Sequence, residues 1–306
     1  ARVARSRLPL LPLPLSFFSR PPSSLLLKMS MRNPKPAPDD AYNDPDILRD
    51  TVQAVLEESE EARARRGSGP LSLHMAARKG DATTTKALLA NKANVDDQQQ
   101  KDGTTSLMFA ASWGHVEVTQ LLLDAKADVN KTSHQGDTAL MFAASGNHPQ
   151  VVKKLLEAGA EVNHQASGTE SAMLLAASKG NVAVISALLA GKAQVNIASK
   201  LGVQPLHYAA RVGHLDSVTT LIQAKADLEA RQSENQWTAL MDAAHQGSLD
   251  IVKVLVESKA DTSAVSKTKR NALQLATGAQ KTEVADFLST VTEKSAAGGG
   301  CSCSVQ

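Results

Sequence analysis

A repeat of about 33 residues constrains this sequence more than any other feature. From residue 71 onward, a heptad that ends in Ala-Ala or Ala-Thr recurs seven times, with starts spaced 34, 33, 33, 33, 34 and 33 residues apart. The heptads begin at Leu71, Thr105, Thr138, Ser171, Gln204, Thr238 and Asn271. Such regular spacing predicts a linear stack of similar units, because a unit of this size can bury its apolar face only against its neighbours.

Each copy carries the pattern of two short helices followed by a finger. A glycine that suits the end of the first helix occurs at Gly80, Gly114, Gly180, Gly213 and Gly247. Apolar residues at helical spacing then predict a second helix, and the alanine pair lets the helices of adjacent units approach closely. A short piece such as Ala127–Asn130 follows, which we expect to be extended with Val129 pointing inward. Asparagines recur in these pieces, where they should satisfy backbone groups of a turn; they are Asn130, Asn163 and Asn196.

The heptads resemble the ankyrin repeat, whose signature is Thr-Pro-Leu-His-x-Ala-Ala. The match is nearest at Pro205-Leu206-His207, while Ser, Ala and Met replace Pro and His in other copies. The resemblance covers residues 71–290 and implies seven repeats in an all-α repeat solenoid of helix-turn-helix units with β-hairpin fingers. It also assigns His74 and His207 to the structural histidine position of the family.

The segments that flank the repeats differ from them in composition. Residues 1–44, in which Arg, Ser and Pro are frequent, are expected to be a disordered arm, a targeting segment or upstream sequence ahead of a start at Met29 or Met31. Apolar residues recur at helical spacing within residues 45–66, which predicts a helix that shields the first edge of the stack. Residues 291–306 are expected to form a flexible tail.

Composition and motifs exclude several classes of function. The chain has 33 basic and 31 acidic residues, and only 3% of its residues are aromatic, so it lacks both the basic field and the stacking side chains of nucleic-acid binding proteins. The sequence contains no phosphate-binding loop, nucleophile elbow or Cys/His cluster with metal-ligand spacing. We therefore expect no enzymatic activity, no cofactor, no metal site and no nucleic-acid partner.

The resemblance implies a protein partner, held on a concave face by the finger tips and the exposed ends of the first helices. The two tryptophans of the chain, Trp113 and Trp237, both fall at such positions, and tryptophan and arginine are enriched in interface hot spots. The alternative for Trp237 is packing on a neighbouring finger. The charged candidates of the same surface are Arg78, Lys79, Asp137, Glu170, Lys179 and Arg211. Mixed charge favours a protein over a polyanion.

The last four residues, Cys303-Ser304-Val305-Gln306, resemble a C-a-a-X prenylation box, in which Gln at the last position indicates a farnesyl group. A single prenyl chain binds membranes only marginally, so Cys301 is the candidate for a second lipid. The alternative is an unstructured tail with incidental thiols.

The sequence thus predicts a non-enzymatic scaffold in the cytoplasm that reaches membrane surfaces through a lipidated tail. Two alternatives stay open. The first is a cytosolic or nuclear adaptor without lipid, and the second is an interaction fragment of a larger signalling protein.

Overall fold

The computed structural model describes residues 72–167 and 170–298, and only the backbone of residues 294–298. Fourteen helices occur in this part of the chain. They are α1 (Leu73–Lys79), α2 (Ala82–Ala90), α3 (Ser106–Trp113), α4 (Val116–Asp124), α5 (Ala139–Ser145), α6 (Pro149–Glu157), α7 (Ala172–Lys179), α8 (Val182–Ala190), α9 (Pro205–Val212), α10 (Leu215–Gln223), α11 (Ala239–Gln246), α12 (Leu249–Glu257), α13 (Ala272–Gly278) and α14 (Thr282–Gly298). The odd-numbered helices pack on one another in one layer and the even-numbered helices in a second layer. The predicted all-α repeat solenoid is confirmed.

The first residue of most heptads caps the first helix of its pair. The Thr105 hydroxyl accepts a hydrogen bond from the Met108 backbone N–H at 3.3 Å, and Ser171, Thr238 and Asn271 cap their helices in the same way. A side-chain acceptor at this position satisfies one of the backbone donors that a helix N-terminus leaves unpaired. The recurrence of Thr, Ser and Asn at the heptad start therefore has a local structural cause.

The alanine pairs form the contact between successive first helices. Ala110 and Ala111 are both fully buried, and the Ala-Ala pairs of the other five copies that have one are at most 1% exposed. Buried leucines of the second helices, such as Leu122 and Leu155, fill the space behind them. The small side chains permit close approach of the helices and the large ones supply apolar area, so the core runs continuously through the stack.

The fingers contain less extended structure than the sequence predicted. One antiparallel pair joins β1 (Gln165–Ala166) to β2 (Glu170–Ser171), and an isolated bridge links Gln98 to Thr105. The prediction that Ala127–Asn130 is extended was wrong, since its last two residues form a turn. The Asp128 carboxylate accepts a hydrogen bond from the Asn130 backbone N–H at 2.9 Å, and such a local bond stabilises a turn over a strand.

The finger asparagines connect one unit to the next. Asn130 Oδ1 accepts from the Glu161 backbone N–H at 2.8 Å, and Asn163 and Asn196 accept in the same way from Gln194 and Asp227. The predicted backbone-satisfying role is therefore confirmed. The satisfied group belongs to the following unit rather than to the turn that carries the asparagine.

The last helix is longer than the sequence predicted. α14 continues to Gly298, so the first eight residues of the segment expected to be a flexible tail are helical. The physical reason is that residues 282–297 contain neither glycine nor proline, so no helix-breaking residue occurs before Gly298. Residues 1–44, the predicted helix at 45–66 and residues 299–306 lie outside the described residues. Within the described ranges, no helix is both long and apolar enough to cross a bilayer.

Candidate functional site

Two rows of side chains run across successive units. The finger row consists of the residues directly before the heptads: Thr104, Asp137, Glu170, Val203 and Trp237. The helix-end row consists of residues that follow the alanine pairs: Arg78, Lys79, Ser112, Trp113, Lys179, Arg211 and His245. The rings of Trp237 and His245 lie 5.1 Å apart, so the two rows meet within a unit.

Trp113 and Arg78 form the first cluster of the helix-end row. The guanidinium carbon of Arg78 lies 6.0 Å from the centroid of the Trp113 ring, within the range of a cation–π contact. The indole is 55% exposed, and the neighbouring Lys79 is exposed as well. This contact leaves a large aromatic surface and a cation side by side in water.

Asp137 and Glu170 occupy successive fingers and repel each other. Partial burial raises the pKa of the Asp137 carboxyl, against the effect of its hydrogen bond with Ser133. The pKa of Glu170 is also raised, first by loss of solvation and then by the Asp137 carboxylate, while the Lys179 ammonium opposes the shift. The centre of the finger row is therefore acidic, with one cation of the helix-end row beside it.

Arg211 reaches from α9 to the next helix pair. Its Nε donates a hydrogen bond to Asp242 Oδ1 at 3.2 Å, and its guanidinium carbon is 5.8 Å from the centroid of the Tyr208 ring. The second oxygen of Asp242 accepts from Gln232 Nε2. Burial raises the pKa of Asp242 to about 6, although both the charge of Arg211 and these hydrogen bonds favour the carboxylate.

Trp237 is less exposed than its position in the finger row suggests. It is partly buried and packs against the apolar core, with its ring beside that of His245. Its backbone N–H donates to Asn235 Oδ1 at 3.0 Å, and its carbonyl accepts from His207 Nε2 at 3.2 Å. The two tryptophans thus differ, since Trp113 is presented to water and Trp237 is held within its finger.

Comparison with known proteins identifies the family. The model of the ankyrin repeats matches three times, at residues 73–166, 164–232 and 226–296. The chain belongs to the ankyrin repeat family. It is similar to the crystal structure of the human ASB11 ankyrin repeat domain, with 28% identity, a TM-score of 0.61, and coverage of 68% of this chain and 92% of that chain. No curated protein matches the sequence.

The ankyrin histidine position has a structural role here. Nδ1 of His207 accepts from the Gln204 backbone N–H at 3.2 Å, which leaves Nε2 to donate to the carbonyls of Ala230 and Trp237. Burial lowers the pKa of His207 to about 4, so the ring is neutral near pH 7. In the first unit, His74 Nε2 lies 2.9 Å from the Asp97 carbonyl oxygen. Both rings join a helix to the finger beside it.

The two rows combine charged and aromatic side chains. Ankyrin repeats form protein–protein interaction modules, and the family indicates no enzymatic activity. Among the residues that the structure describes, no group of three or more His, Cys, Asp or Glu side chains is placed to hold a metal ion. The charged and aromatic side chains of the rows are suited to hydrogen bonding, ion pairing and stacking with another protein.

Sequence reasoning missed the residues that hold Arg211. Asp242, Gln232 and Tyr208 were not among the candidates. One signal was available, since Asp242 is the only charged residue at the fifth position of a heptad. The two candidate lipidation residues, Cys301 and Cys303, lie outside the described residues.

Proposed function

We propose that this ankyrin repeat domain is a non-enzymatic adaptor of seven repeats that binds a protein partner on a concave face formed by the finger row and the helix-end row. The observation that carries the proposal is the exposure of Trp113 against Arg78. Exposed tryptophan and arginine are the residue types that dominate interface hot spots. A monomer gains little stability from an indole that is 55% exposed, whereas a partner that covers it gains a large apolar contact.

The order of charges along the rows supports a protein partner. Arg78 and Lys79 lie at the first unit, Asp137 and Glu170 at the centre and Arg211 further along. A polyanion is repelled by the central acids, while a protein surface with alternating charge matches all three regions. The charges also fix the register of the partner, because a shift by one unit places like charges together.

Affinity capture from cell extract tests this proposal with three forms of the full chain. Trp113→Ala removes the exposed indole, and Leu215→Ala is the control, since Leu215 is an apolar residue of α10 that is 36% exposed and lies outside both rows. We expect Trp113→Ala to capture at least about tenfold less partner than the wild-type chain, and Leu215→Ala to capture the wild-type amount. Equal capture by both variants places the partner elsewhere and contradicts the proposal.

We propose in addition that a prenyl group on Cys303 tethers the adaptor to the cytosolic face of membranes, provided that the protein ends at Gln306. The support is the sequence pattern alone, together with Cys301 as a position for the second lipid that stable anchoring requires. Membrane–cytosol fractionation of the full chain and of Cys303→Ser tests it. A full chain that pellets while the variant stays soluble supports the tether. Two soluble forms instead favour the alternative, a cytosolic or nuclear adaptor without lipid.

A further inference from the structure

Arg211 is fixed from two directions at the surface between the fifth and sixth helix pairs. Tyr208, on the same helix, lies under its guanidinium, and Asp242, on α11, accepts a hydrogen bond from its Nε. Still, 37% of the Arg211 side chain remains exposed. An arginine that is already ordered and still accessible loses less side-chain entropy on binding a partner than a free one does.

Asp242 is an unusual residue for its place in the unit. The fifth heptad position is uncharged in every other copy, where it holds Met75, Phe109, Phe142, Leu175, Tyr208 and Leu275. Asp242 is 2% exposed, and a buried ion pair is on average no more favourable for folding than an apolar side chain of similar volume. An apolar side chain would pack equally well at this position. The Asp242 carboxylate differs from it in that it orients Arg211.

The orientation leaves the outer part of the guanidinium available. A guanidinium has five N–H donors in a planar fork, and the bond to Asp242 uses the one on Nε. Within the described part of the chain, Nη1 and Nη2 of Arg211 make no hydrogen bond. Their four N–H groups match the two oxygens of a carboxylate in a bidentate pair.

The neighbours of Arg211 indicate the direction of approach. Burial raises the pKa of Tyr208, and the charge of the Glu170 carboxylate raises it further, so an incoming carboxylate is repelled near Tyr208. His207, one helical turn before Arg211, donates to the Trp237 carbonyl, so the finger that carries Trp237 packs against α9. The partly buried indole of Trp237 belongs to this finger and offers an apolar surface.

We infer that Arg211, positioned by Asp242 and Tyr208, anchors an Asp or Glu side chain of an extended partner segment, whose adjacent apolar residue contacts Trp237. This inference rests on the proposed function, since it requires a partner on the same face. It adds the chemistry of the partner at one place, an acidic residue next to an apolar one.

A display library of random 16-residue peptides, selected on the purified full chain, tests the inference. The affinity of selected peptides is then measured by fluorescence anisotropy against wild type, Arg211→Gln, Arg211→Lys and the control Lys200→Gln, which removes an exposed cation of a finger. We expect selected peptides to share an acidic residue. We expect both Arg211 variants to weaken binding at least about tenfold, because neither retains the fork, and the control to stay within about twofold.

A double-mutant cycle assigns the contact. Changing the shared acid of the peptide to its amide should weaken binding to wild type by about tenfold and change binding to Arg211→Gln less than about twofold. Asp242→Asn should weaken the same peptides while the chain stays folded, which tests the positioning role separately from charge loss at Arg211.

The possible outcomes separate this inference from the proposed function. Peptides that respond to Trp113→Ala or Trp237→Ala but carry no shared acid, or bind Arg211→Gln normally, overturn the inference and leave the binding surface intact. Unchanged binding to Asp242→Asn overturns the positioning role. A selection that yields no peptide, or only peptides insensitive to every row variant, counts against both.

Discussion

The imidazole of His214 packs directly over Gly180 of the preceding unit. A Cβ at residue 180 would lie 2.6 Å from His214 Nδ1, and the backbone there has φ of +73°. His214 Nε2 also lies 3.3 Å from the Ser178 carbonyl oxygen, so the ring closes the end of α7. Glycine is therefore required here both by the backbone conformation and by the ring of the neighbouring unit.

Gly180→Ala and Gly159→Ala distinguish the effect of the backbone conformation from that of the neighbouring ring. Gly159 has φ of +90° with open space around it, so its alanine variant introduces backbone strain alone and should lower the free energy of unfolding by about 1 kcal/mol. Gly180→Ala adds the contact with His214 and should lower it by about 3 kcal/mol. Urea denaturation measures both, and His214→Asn in the Gly180→Ala background should recover part of the difference. Equal losses at the two glycines contradict the role of the ring.

Asp242 and His207 give the stability opposite dependences on pH. The pKa of Asp242 is raised from 3.8 to about 6 on folding, so between these values the native state binds more protons and stability falls as pH rises. The pKa of His207 is lowered from 6.5 to about 4, so the unfolded state binds more protons and stability rises with pH. The two effects act over nearly the same pH range. Each changes the free energy of unfolding by about 3 kcal/mol, at 1.36 kcal/mol per pKa unit. They nearly cancel in the wild-type chain.

Replacing either Asp242 or His207 should reveal the pH dependence of stability that the other residue causes. In Asp242→Asn, the free energy of unfolding should rise by roughly 2 to 3 kcal/mol from pH 4 to pH 6.5, because His207 is the one group of the opposing pair that remains. In His207→Gln, it should fall over the same window. Urea denaturation at pH 4.5 and pH 6.5 gives the sign in each case, and slopes of the same sign in the two variants would rule out this explanation.

The fold was predictable because the same helix pattern occurs in every copy of the repeat. Seven registered heptads repeat one pattern, and most of them carry a capping residue and an alanine pair, so an atypical residue in one copy does not obscure the helix pattern of the others. The finger at Ala127–Asn130 was mispredicted because local hydrogen bonds to Asp128, from the Asn130 N–H to its carboxylate and from the Lys131 N–H to its carbonyl, favour a turn over a strand. Such local bonds leave little trace in the periodicity.

The candidate surface was predictable only in part, for a different reason. Position in the unit places Arg78, Trp113 and Arg211 in the helix-end row, but exposure depends on contacts with residues elsewhere in the stack. Trp237 is held by His207 and His245, and Arg211 by Asp242, through contacts that span 8 to 31 residues. Such pairings follow from the stacking geometry and not from spacing within one copy.

Lysine replaces glycine at a strained position of most units. The residue 21 positions after the heptad start has positive φ in six units, and it is glycine only at Gly159. The others are Lys92, Lys126, Lys192, Lys225 and Lys259, with φ between +58° and +71°. Lys126→Gly should raise the free energy of unfolding by about 0.5 kcal/mol, since relief of left-handed strain exceeds the added entropy of the unfolded chain. Lys126→Ala removes the same charge but keeps the strain, so it should give no such gain in urea denaturation.

The alanine variants of the two tryptophans should differ in stability. Trp113→Ala removes a side chain that is 55% exposed and contacts Arg78, so the free energy of unfolding should change by less than about 0.5 kcal/mol. Trp237→Ala removes a partly buried ring that packs on the core and on His245, and it should lower that free energy by about 2 kcal/mol. Thermal and urea denaturation of the two variants decides this point. A Trp237→Ala variant as stable as the wild-type chain would contradict the packing role of this indole.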